Sequence, residues 1–178
     1  MHEDILRFWF EDIEPARWWA VDPGFDALLR ERYGALLEQA AQGECHAWRD
    51  SADGRLAEII VLDQFSRNIH RNTPRAFAQD GMALALAQEA VAAGALEKLE
   101  PARRAFLLMP YMHSESRLIH AAAAPLFKTW TPATSHDFEL RHKAIIDRFG
   151  RYPHRNAILG RSASADEVEF LKQPGSRF

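Results

Sequence analysis

Apolar residues recur at helical spacing along most of the chain, and no segment alternates apolar and polar positions over a useful length. The most apolar stretch runs from Leu56 to Ile69, and its first half is apolar on nearly every side of the predicted helix. This pattern is typical of a buried central helix. The chain as a whole predicts an all-α fold of about seven or eight helices, with short connections and antiparallel pairing.

Proline, glycine and capping residues mark where the predicted helices begin and end. Pro101 begins one helix, and Pro110 should kink or end it, because proline lacks the backbone donor and crowds the preceding turn. Gly150 is expected to end a later helix. Ser164 and Glu167 have the spacing of a capping box, which predicts the start of a last short helix.

Length and composition are those of an ordinary globular domain, with 178 residues, of which 26% are charged and 47% hydrophobic. They predict a single domain over residues 1–178, with a frayed tail over residues 173–178. The formal net charge of -3 provides no field that would attract nucleic acid or an anionic membrane, so neither is expected as a partner. No apolar run is long enough to span a membrane, and no signal peptide is recognised. A single cysteine, Cys45, excludes an internal disulfide and fits a reducing cytoplasm.

Three polar clusters lie at or beside predicted helix ends, where binding sites are commonly built. They contain Asp63, Gln64, Arg67, Asn68 and Arg71; Tyr111, His113, Ser114 and Glu115; and Arg148, Arg151, His154, Arg155 and Asn156. Asp63 and Arg67 are four residues apart on one face of the central helix, so they can form an ion pair along it. Stability explains a buried pair poorly, because taking both charges out of water is costly. The pair is either a strut that fixes the helix register or the floor of a charged cleft.

The arginines indicate a site for a small anionic molecule, since guanidinium groups bind carboxylates and phosphates through two parallel hydrogen bonds. The residues expected to hold this ligand are Gln64, Arg67, Asn68, Arg71, Tyr111, His142, Arg148, Arg151, Arg155 and Asn156. His113 or His154 would transfer protons, with Asp63 or Glu115 as the carboxylate that orients the imidazole. For His142 alone, a hydrogen-bonded core histidine is the competing interpretation.

Other kinds of chemistry find little support in the spacing of these residues. No two histidines have the separation that places them on one helix face, so no metal site is predicted, and no cofactor can be identified. Ser114 is not flanked by the glycines of a nucleophile elbow, which argues against a serine hydrolase.

Several separate motifs together resemble one known family. These motifs are Leu62-Asp63-Gln64-Phe65-x-Arg67-Asn68, then His113-x-Glu115, then Phe149-Gly150-Arg151-Tyr152-Pro153-His154-Arg155-Asn156. With them, the chain resembles domain-of-unknown-function family 924, a bacterial family, from about Ile5 to Leu171. The family pattern also resembles this chain at Trp48, Arg71, Asp80, Pro110, His142, Arg148 and Arg161. The resemblance implies an all-helical, tetratricopeptide-like fold and no established activity.

Three hypotheses about function follow. In the first, the polar clusters meet in one hollow, and the protein is a binding protein or an enzyme for a small anionic molecule. In the second, stacked helix pairs form an interaction module with a peptide partner, as tetratricopeptide arrays do. In the third, the clusters are internal struts that hold helices and loops together.

Overall fold

The computed structural model describes residues 1–177, and within them the chain forms helices and no strand, which confirms the all-α prediction. The α-helices are α1 (His2–Arg7), α2 (Pro23–Ala41), α3 (Ala52–Ile60), α4 (Ser66–Ile69), α5 (Asp80–Ala92), α6 (Ala95–Lys98), α7 (Pro101–Met112), α8 (Arg117–Trp130), α9 (Ala133–Phe149) and α10 (Ala165–Phe170). Two π-helical segments, Phe8–Asp12 and Val61–Phe65, continue the helices that precede them. No helix within residues 1–177 has the length and hydropathy that crossing a membrane requires.

The centre of the molecule is one continuous helix made of α3, the π-helical segment Val61–Phe65 and α4. Every residue from 56 to 66 in it is buried. α1, α2, α5 and α7 all pack against this helix, so it contributes to the hydrophobic core on nearly every side. The prediction of a buried central helix is therefore confirmed.

The central helix begins at a tight crossing with the preceding turn. The Ser51 hydroxyl caps the helix by accepting a hydrogen bond from the backbone N–H of Gly54 at 3.0 Å. A Cβ atom at Gly54 would come within 1.9 Å of the backbone carbonyl oxygen of Trp48. Glycine is therefore needed at this position because the backbone of the preceding turn occupies the space of a side chain.

The π-helical segment changes which side chains point toward which neighbour. Its wider turn inserts an extra residue into the helix, so positions after it no longer follow the ordinary 100° advance. Asp63 and Gln64 lie in the middle of this segment. Short π-helical turns are often found at functional sites, and this one carries the most buried carboxylate of the predicted clusters.

The helix that contains Pro110 ends close to the predicted break. α7 continues through Pro110 for two more residues and ends at Met112, with His113 as its C-cap. The backbone N–H of His113 still donates to the carbonyl of Met109 at 2.9 Å, and the chain is then irregular up to Ser116. α8 packs on both α7 and α9, so the irregular stretch lies between helices that are held firmly.

Candidate functional site

Asp63 and His113 form a hydrogen-bonded pair at the centre of the site. Oδ1 of Asp63 lies 2.7 Å from Nδ1 of His113, and only 1% of the Asp63 side chain is exposed, against 16% of the His113 side chain. Gln64 donates to the other carboxylate oxygen of Asp63 at 2.5 Å and also contacts the sulfur of Met109. Nε2 of His113 bonds no group of residues 1–177. The imidazole therefore has one nitrogen fixed by a buried carboxylate and one nitrogen available to a ligand.

Two arginines and a second aspartate extend this pair. Arg67 lies 3.0 Å from Oδ1 of Asp63, as the spacing of four residues predicts, and it binds the carboxylate of Asp80 through two hydrogen bonds of 3.0 and 3.1 Å. Arg155 also binds Asp80, at 3.1 Å. The side chain of Arg155 is buried, and its guanidinium carbon lies over the rings of Phe77 and Tyr152, 4.6 Å from each centroid. Asp80 thus bridges two of the arginines that were expected to bind an anion.

Side chains from distant elements cap the end of α7. Three consecutive carbonyls, at positions 112–114, are beyond the reach of the helix's own N–H groups. Tyr152 donates to the first at 2.5 Å, Arg155 to the second at 3.1 Å, and Nε2 of His120 contacts the third at 2.9 Å. These three hydrogen bonds fix the backbone that carries His113.

His120 belongs to a second buried pair, with Glu139 of α9. Nδ1 of His120 lies 2.8 Å from Oε1 of Glu139, and both side chains are completely buried. Burial raises the pKa of Glu139 above its ordinary value, although the hydrogen bond to His120 opposes the shift. Oε2 of Glu139 is buried and bonds no group of residues 1–177. The pair holds one proton between a carboxyl group and an imidazole in the interior.

Glu115 does not orient His113. Its carboxylate accepts two hydrogen bonds from Arg161, at 2.6 and 2.9 Å, and one from the backbone N–H of Tyr152 at 2.7 Å. Arg161 also donates to Oδ1 of Asn156 at 3.0 Å. Burial would raise the pKa of Glu115, but the hydrogen bonds from Arg161 and from that backbone N–H outweigh it and lower the pKa. Glu115 and Asn156 thus fasten the loop after α9 to the end of α7.

Two predicted ligand-binding residues turn toward α2 instead. Arg71 binds Asp26 through two hydrogen bonds of 2.5 and 2.8 Å, and Asn68 donates to the same carboxylate at 2.8 Å. Burial would raise the pKa of Asp26, but these hydrogen bonds outweigh it and hold the pKa below its usual range. Asn68 and Arg71 therefore join the central helix to α2, with Asp26 as their partner.

Arg148 and Arg151 lie at a separate, open depression together with Ser164 and Glu167. Arg151 binds the Glu167 carboxylate at 2.6 and 2.7 Å. Arg148 lies over the ring of Phe149, with its guanidinium carbon 4.6 Å from the centroid. None of the side chains that surround Asp63 lines this depression. Residues 63, 67, 113 and 155 are therefore joined by direct contacts and through Asp80, whereas Arg148 and Arg151 lie apart from them. The expectation of one hollow shared by all three clusters stays a prediction.

The remaining predicted residues are His142 and His154, whose rings pack against Tyr152, and Tyr111, which is buried in α7. The ring centroids of His142 and His154 lie 5.8 and 5.6 Å from that of Tyr152, and Nδ1 of His142 contacts the backbone carbonyl of Phe138 at 2.8 Å. Burial lowers the pKa of His142 to about 3. Burial and the charge of Arg155 lower the pKa of His154 to about 4. Tyr111 is buried and hydrogen-bonds none of the predicted site residues within the chain as described.

Electrostatics keep Asp63 ionised and His113 neutral. Burial would raise the pKa of Asp63, but the charge of Arg67 and the interactions with His113 outweigh it and lower the pKa. Burial and the charge of Arg67 lower the pKa of His113, although Asp63 opposes them. Within residues 1–177, no three histidine, cysteine, aspartate or glutamate side chains are arranged to hold a metal ion.

The site also contains residues that the sequence analysis did not select as catalytic or ligand-binding. These are Asp26, Asp80, His120, Glu139, Arg161 and Glu167. Each of them except Glu139 is the partner of a predicted residue or of the backbone beside one, and Glu139 is the partner of His120. A signal existed for Asp80 and Arg161, because both belong to the pattern shared with the family that the chain resembles. No comparable signal marked His120, which lies in an apolar stretch of α8.

Comparisons with known proteins agree with this description. The model of a family described as "Bacterial protein of unknown function (DUF924)" matches residues 5–175. A solved structure of a protein of unknown function, ATU0120 from Agrobacterium tumefaciens, is similar with a TM-score of 0.91 and 32% sequence identity, over 96% of each chain. No curated protein matches the chain significantly.

Proposed function

The chain belongs to the bacterial family of unknown function DUF924, whose description assigns no activity. We propose from the geometry of the site that the protein binds a small anionic molecule at the Asp63–His113 pair. In this proposal the pair transfers a proton to or from the bound molecule. One observation carries this proposal. A fully buried carboxylate holds Nδ1 of a histidine that remains partly exposed, and Nε2 of that histidine bonds no group of residues 1–177.

The pair has the properties of a general base. An ionised carboxylate can only accept hydrogen bonds, so Nδ1 of His113 carries the proton and Nε2 presents its lone pair. The lowered pKa of His113 keeps the imidazole neutral near pH 7 and therefore able to take a proton. In this proposal Asp63 orients the imidazole, as outer-shell carboxylates commonly do.

The anionic character of the ligand is supported by Arg67. Its side chain is 19% exposed, whereas that of Arg155 is only 7% exposed, so Arg67 is the guanidinium that a ligand at His113 would meet. Arg155 does not meet the ligand but positions His113, because it donates a hydrogen bond to the backbone carbonyl of His113. Glu115 and His154, which were candidates for catalysis, have no place in this proposal.

A ligand screen tests the proposal. Carboxylated and phosphorylated metabolites would be added to the full chain and to two variants, His113→Gln and the exposed-histidine control His46→Gln, with thermal unfolding and NMR shifts as readouts. We expect at least one compound to bind the wild type and His46→Gln but not His113→Gln. For that compound, product formation or deuterium uptake from D₂O should also require His113. A compound that binds all three proteins equally, or a screen without any response, would refute the proposal.

A second candidate function, a helical module that binds a peptide, is favoured by exposed apolar side chains on α8 and α9. Leu118 is 78% exposed and Phe138 50% exposed, with Leu140 also exposed on α9. Selection from a peptide library on the full chain tests this function. A peptide that binds the wild type and is lost with Leu118→Glu would support it, whereas a selection without enrichment would count against it.

A further inference from the structure

Charges around the Asp63–His113 pair balance one another. Two carboxylates, Asp63 and Asp80, face two guanidinium groups, Arg67 and Arg155, with contacts of 3.0 to 3.1 Å. Beyond them, Glu115 and Arg161 form a balanced pair of their own, and His120 with Glu139 is neutral overall wherever its shared proton lies. With a neutral His113, this group of side chains therefore has no net charge.

An anion that enters a balanced, partly buried cluster brings a charge that nothing there compensates. Arg67 cannot compensate it without weakening its two hydrogen bonds to Asp80. His113 is different, because its Nε2 can take up a proton at the exposed edge of the cluster. The resulting imidazolium would donate one hydrogen bond through Nδ1 to Asp63 and one through Nε2 to the ligand, so each of its two N–H groups would face a negative charge.

We infer that the ligand of this site is a monoanion with a single carboxylate, bound together with one proton that Nε2 of His113 takes up. The inference rests on the proposed function and narrows its ligand class. In the complex, the proton that His113 has taken up is the one that it can transfer to the ligand. One proton compensates one negative charge, so a phosphate dianion would leave a second charge uncompensated in a low-dielectric site. A carboxylate keeps a single negative charge at neutral pH, whereas a phosphate group acquires its second charge at about pH 6.

The groups that face His113 come from several elements, and their charges set the conditions of proton uptake. Asp63 favours the imidazolium and Arg67 opposes it, both from the central helix, while Asp80 of α5 favours it. From α9, His142 is close enough to interact with a charged His113, but it is itself neutral near pH 7. Arg155 contacts the backbone carbonyl of His113 from the C-terminal side. A bound carboxylate adds a third negative neighbour and so favours protonation of His113.

The experiment adds acetate or inorganic phosphate to the full chain, and chloride keeps the ionic strength the same in every sample. NMR follows the histidine resonances between about pH 5 and pH 8. We expect acetate to raise the pKa of His113, and acetate affinity to fall about tenfold per pH unit above the pKa of the free site. Phosphate should bind more weakly than acetate at the upper end of this range. His113→Gln should remove the pH dependence, whereas His46→Gln should keep it.

The outcomes separate this inference from the proposed function. Acetate binding with a pH-independent affinity, or with Nε2 unprotonated in the complex, would overturn the inference and leave an anion site at His113. Phosphate binding more tightly than acetate at pH 8 would overturn the carboxylate assignment alone. If neither probe changes any His113 resonance, both the inference and the proposed function fail. Because these readouts use the wild-type chain, they do not depend on whether a variant folds.

Discussion

Nδ1 of His113 lies 2.7 Å from Oδ1 of Asp63, although the two residues are 50 positions apart in the chain. Asp63 sits in the π-helical part of the central helix, and His113 is the C-cap of α7. The contact therefore joins the middle of one helix to the end of another. It fixes the imidazole against a buried carboxylate, and both the chemistry proposed for the site and its stability depend on this contact.

Replacing Asp63 by asparagine should destabilise the fold and release His113. The substitution leaves Arg67 with Asp80 as its remaining carboxylate and turns an ionised acceptor into a neutral amide. We expect the free energy of unfolding to fall by about 3 kcal/mol, the lower end of what breaking a buried pair costs, because Asp80 still compensates part of the charge of Arg67. Denaturant unfolding followed by circular dichroism measures this change.

An exposed ion pair provides the control for Asp63→Asn. Glu38 and Arg75 form a salt bridge in which both side chains are more than half exposed. Glu38→Gln should cost less than about 1 kcal/mol, because exposed pairs are screened by water and salt. Equal effects of Asp63→Asn and Glu38→Gln would contradict the role given to Asp63 in stability.

Replacing Arg155 by lysine should lower the free energy of unfolding substantially, although the substitution keeps the positive charge. Arg155 binds Asp80 and the carbonyl of His113 with two different nitrogens, and its guanidinium also lies over two aromatic rings. Lysine has neither the planar fork nor the stacking surface. We expect a loss of about 2 kcal/mol in unfolding free energy. The matched control, Arg75→Lys at an exposed pair, should change it by less than about 0.5 kcal/mol.

Sequence reasoning succeeded where the information is local. The spacing of Asp63 and Arg67 predicted their ion pair, apolar residues on nearly every side predicted the central helix, and Gly150 in the left-handed region ends α9 as expected. These features depend on helical periodicity and on backbone conformation. Both can be recognised without knowledge of the tertiary fold.

What sequence reasoning missed depends on tertiary contacts. His113 was given two candidate carboxylates, and only packing of α7 on the central helix selects Asp63 over Glu115. The arginines were expected to be free for an anion, yet Asp80 occupies two of them, and that pairing cannot be deduced from helical spacing. The π-helical segment was missed for a similar reason, since the apolar pattern alone does not reveal one inserted residue.

Glu139 should be protonated at neutral pH. Nε2 of His120 faces the carbonyl of Ser114, so it carries a proton, and the second proton of the pair lies between Nδ1 of His120 and Oε1 of Glu139. Burial raises the pKa of Glu139, which favours the carboxyl group as the holder of that second proton. Glutamine can replace a neutral acid as donor, so Glu139→Gln should change the unfolding free energy by less than about 1 kcal/mol, against about 3 kcal/mol for Glu139→Ala. If glutamine is as damaging as alanine, the carboxyl group is ionised instead.

Buried histidines should make the fold sensitive to mild acid. The pKa of His142 is lowered to about 3 and that of His154 to about 4, below the value of about 6.5 for an unfolded chain. Between the lowered pKa values and about pH 6.5, the unfolded chain binds more protons than the folded chain. The contribution of these histidines to the unfolding free energy is therefore fully present above about pH 6.5 and is lost as the pH falls. Each histidine should contribute a slope approaching about 1.4 kcal/mol per pH unit.

The slope of unfolding free energy against pH separates this effect from ordinary destabilisation. His142→Gln should reduce the slope between about pH 6 and pH 4.5 by the contribution of one proton, whatever it does to stability at pH 7. His46→Gln, at an exposed histidine, is the matched control and should leave the slope unchanged. A slope that is the same in wild type and His142→Gln would show that the histidine is protonated in the folded state.

Adding one methyl group at Gly54 should be among the most damaging changes in the chain. Its Cβ would lie 1.9 Å from the backbone carbonyl oxygen of Trp48, and backbone atoms cannot rotate aside as a flexible side chain can. The start of the central helix or the preceding turn must therefore move, and the cap from Ser51 would be strained with it. We expect Gly54→Ala to cost more than about 2 kcal/mol of unfolding free energy.

Gly34, inside α2 with open space around it, is the matched control, and Gly34→Ala should stabilise the chain by about 0.5–1 kcal/mol because alanine favours helices. Thermal unfolding of both variants decides the matter, since similar melting temperatures would mean that the crossing at Trp48 is looser than the structure indicates.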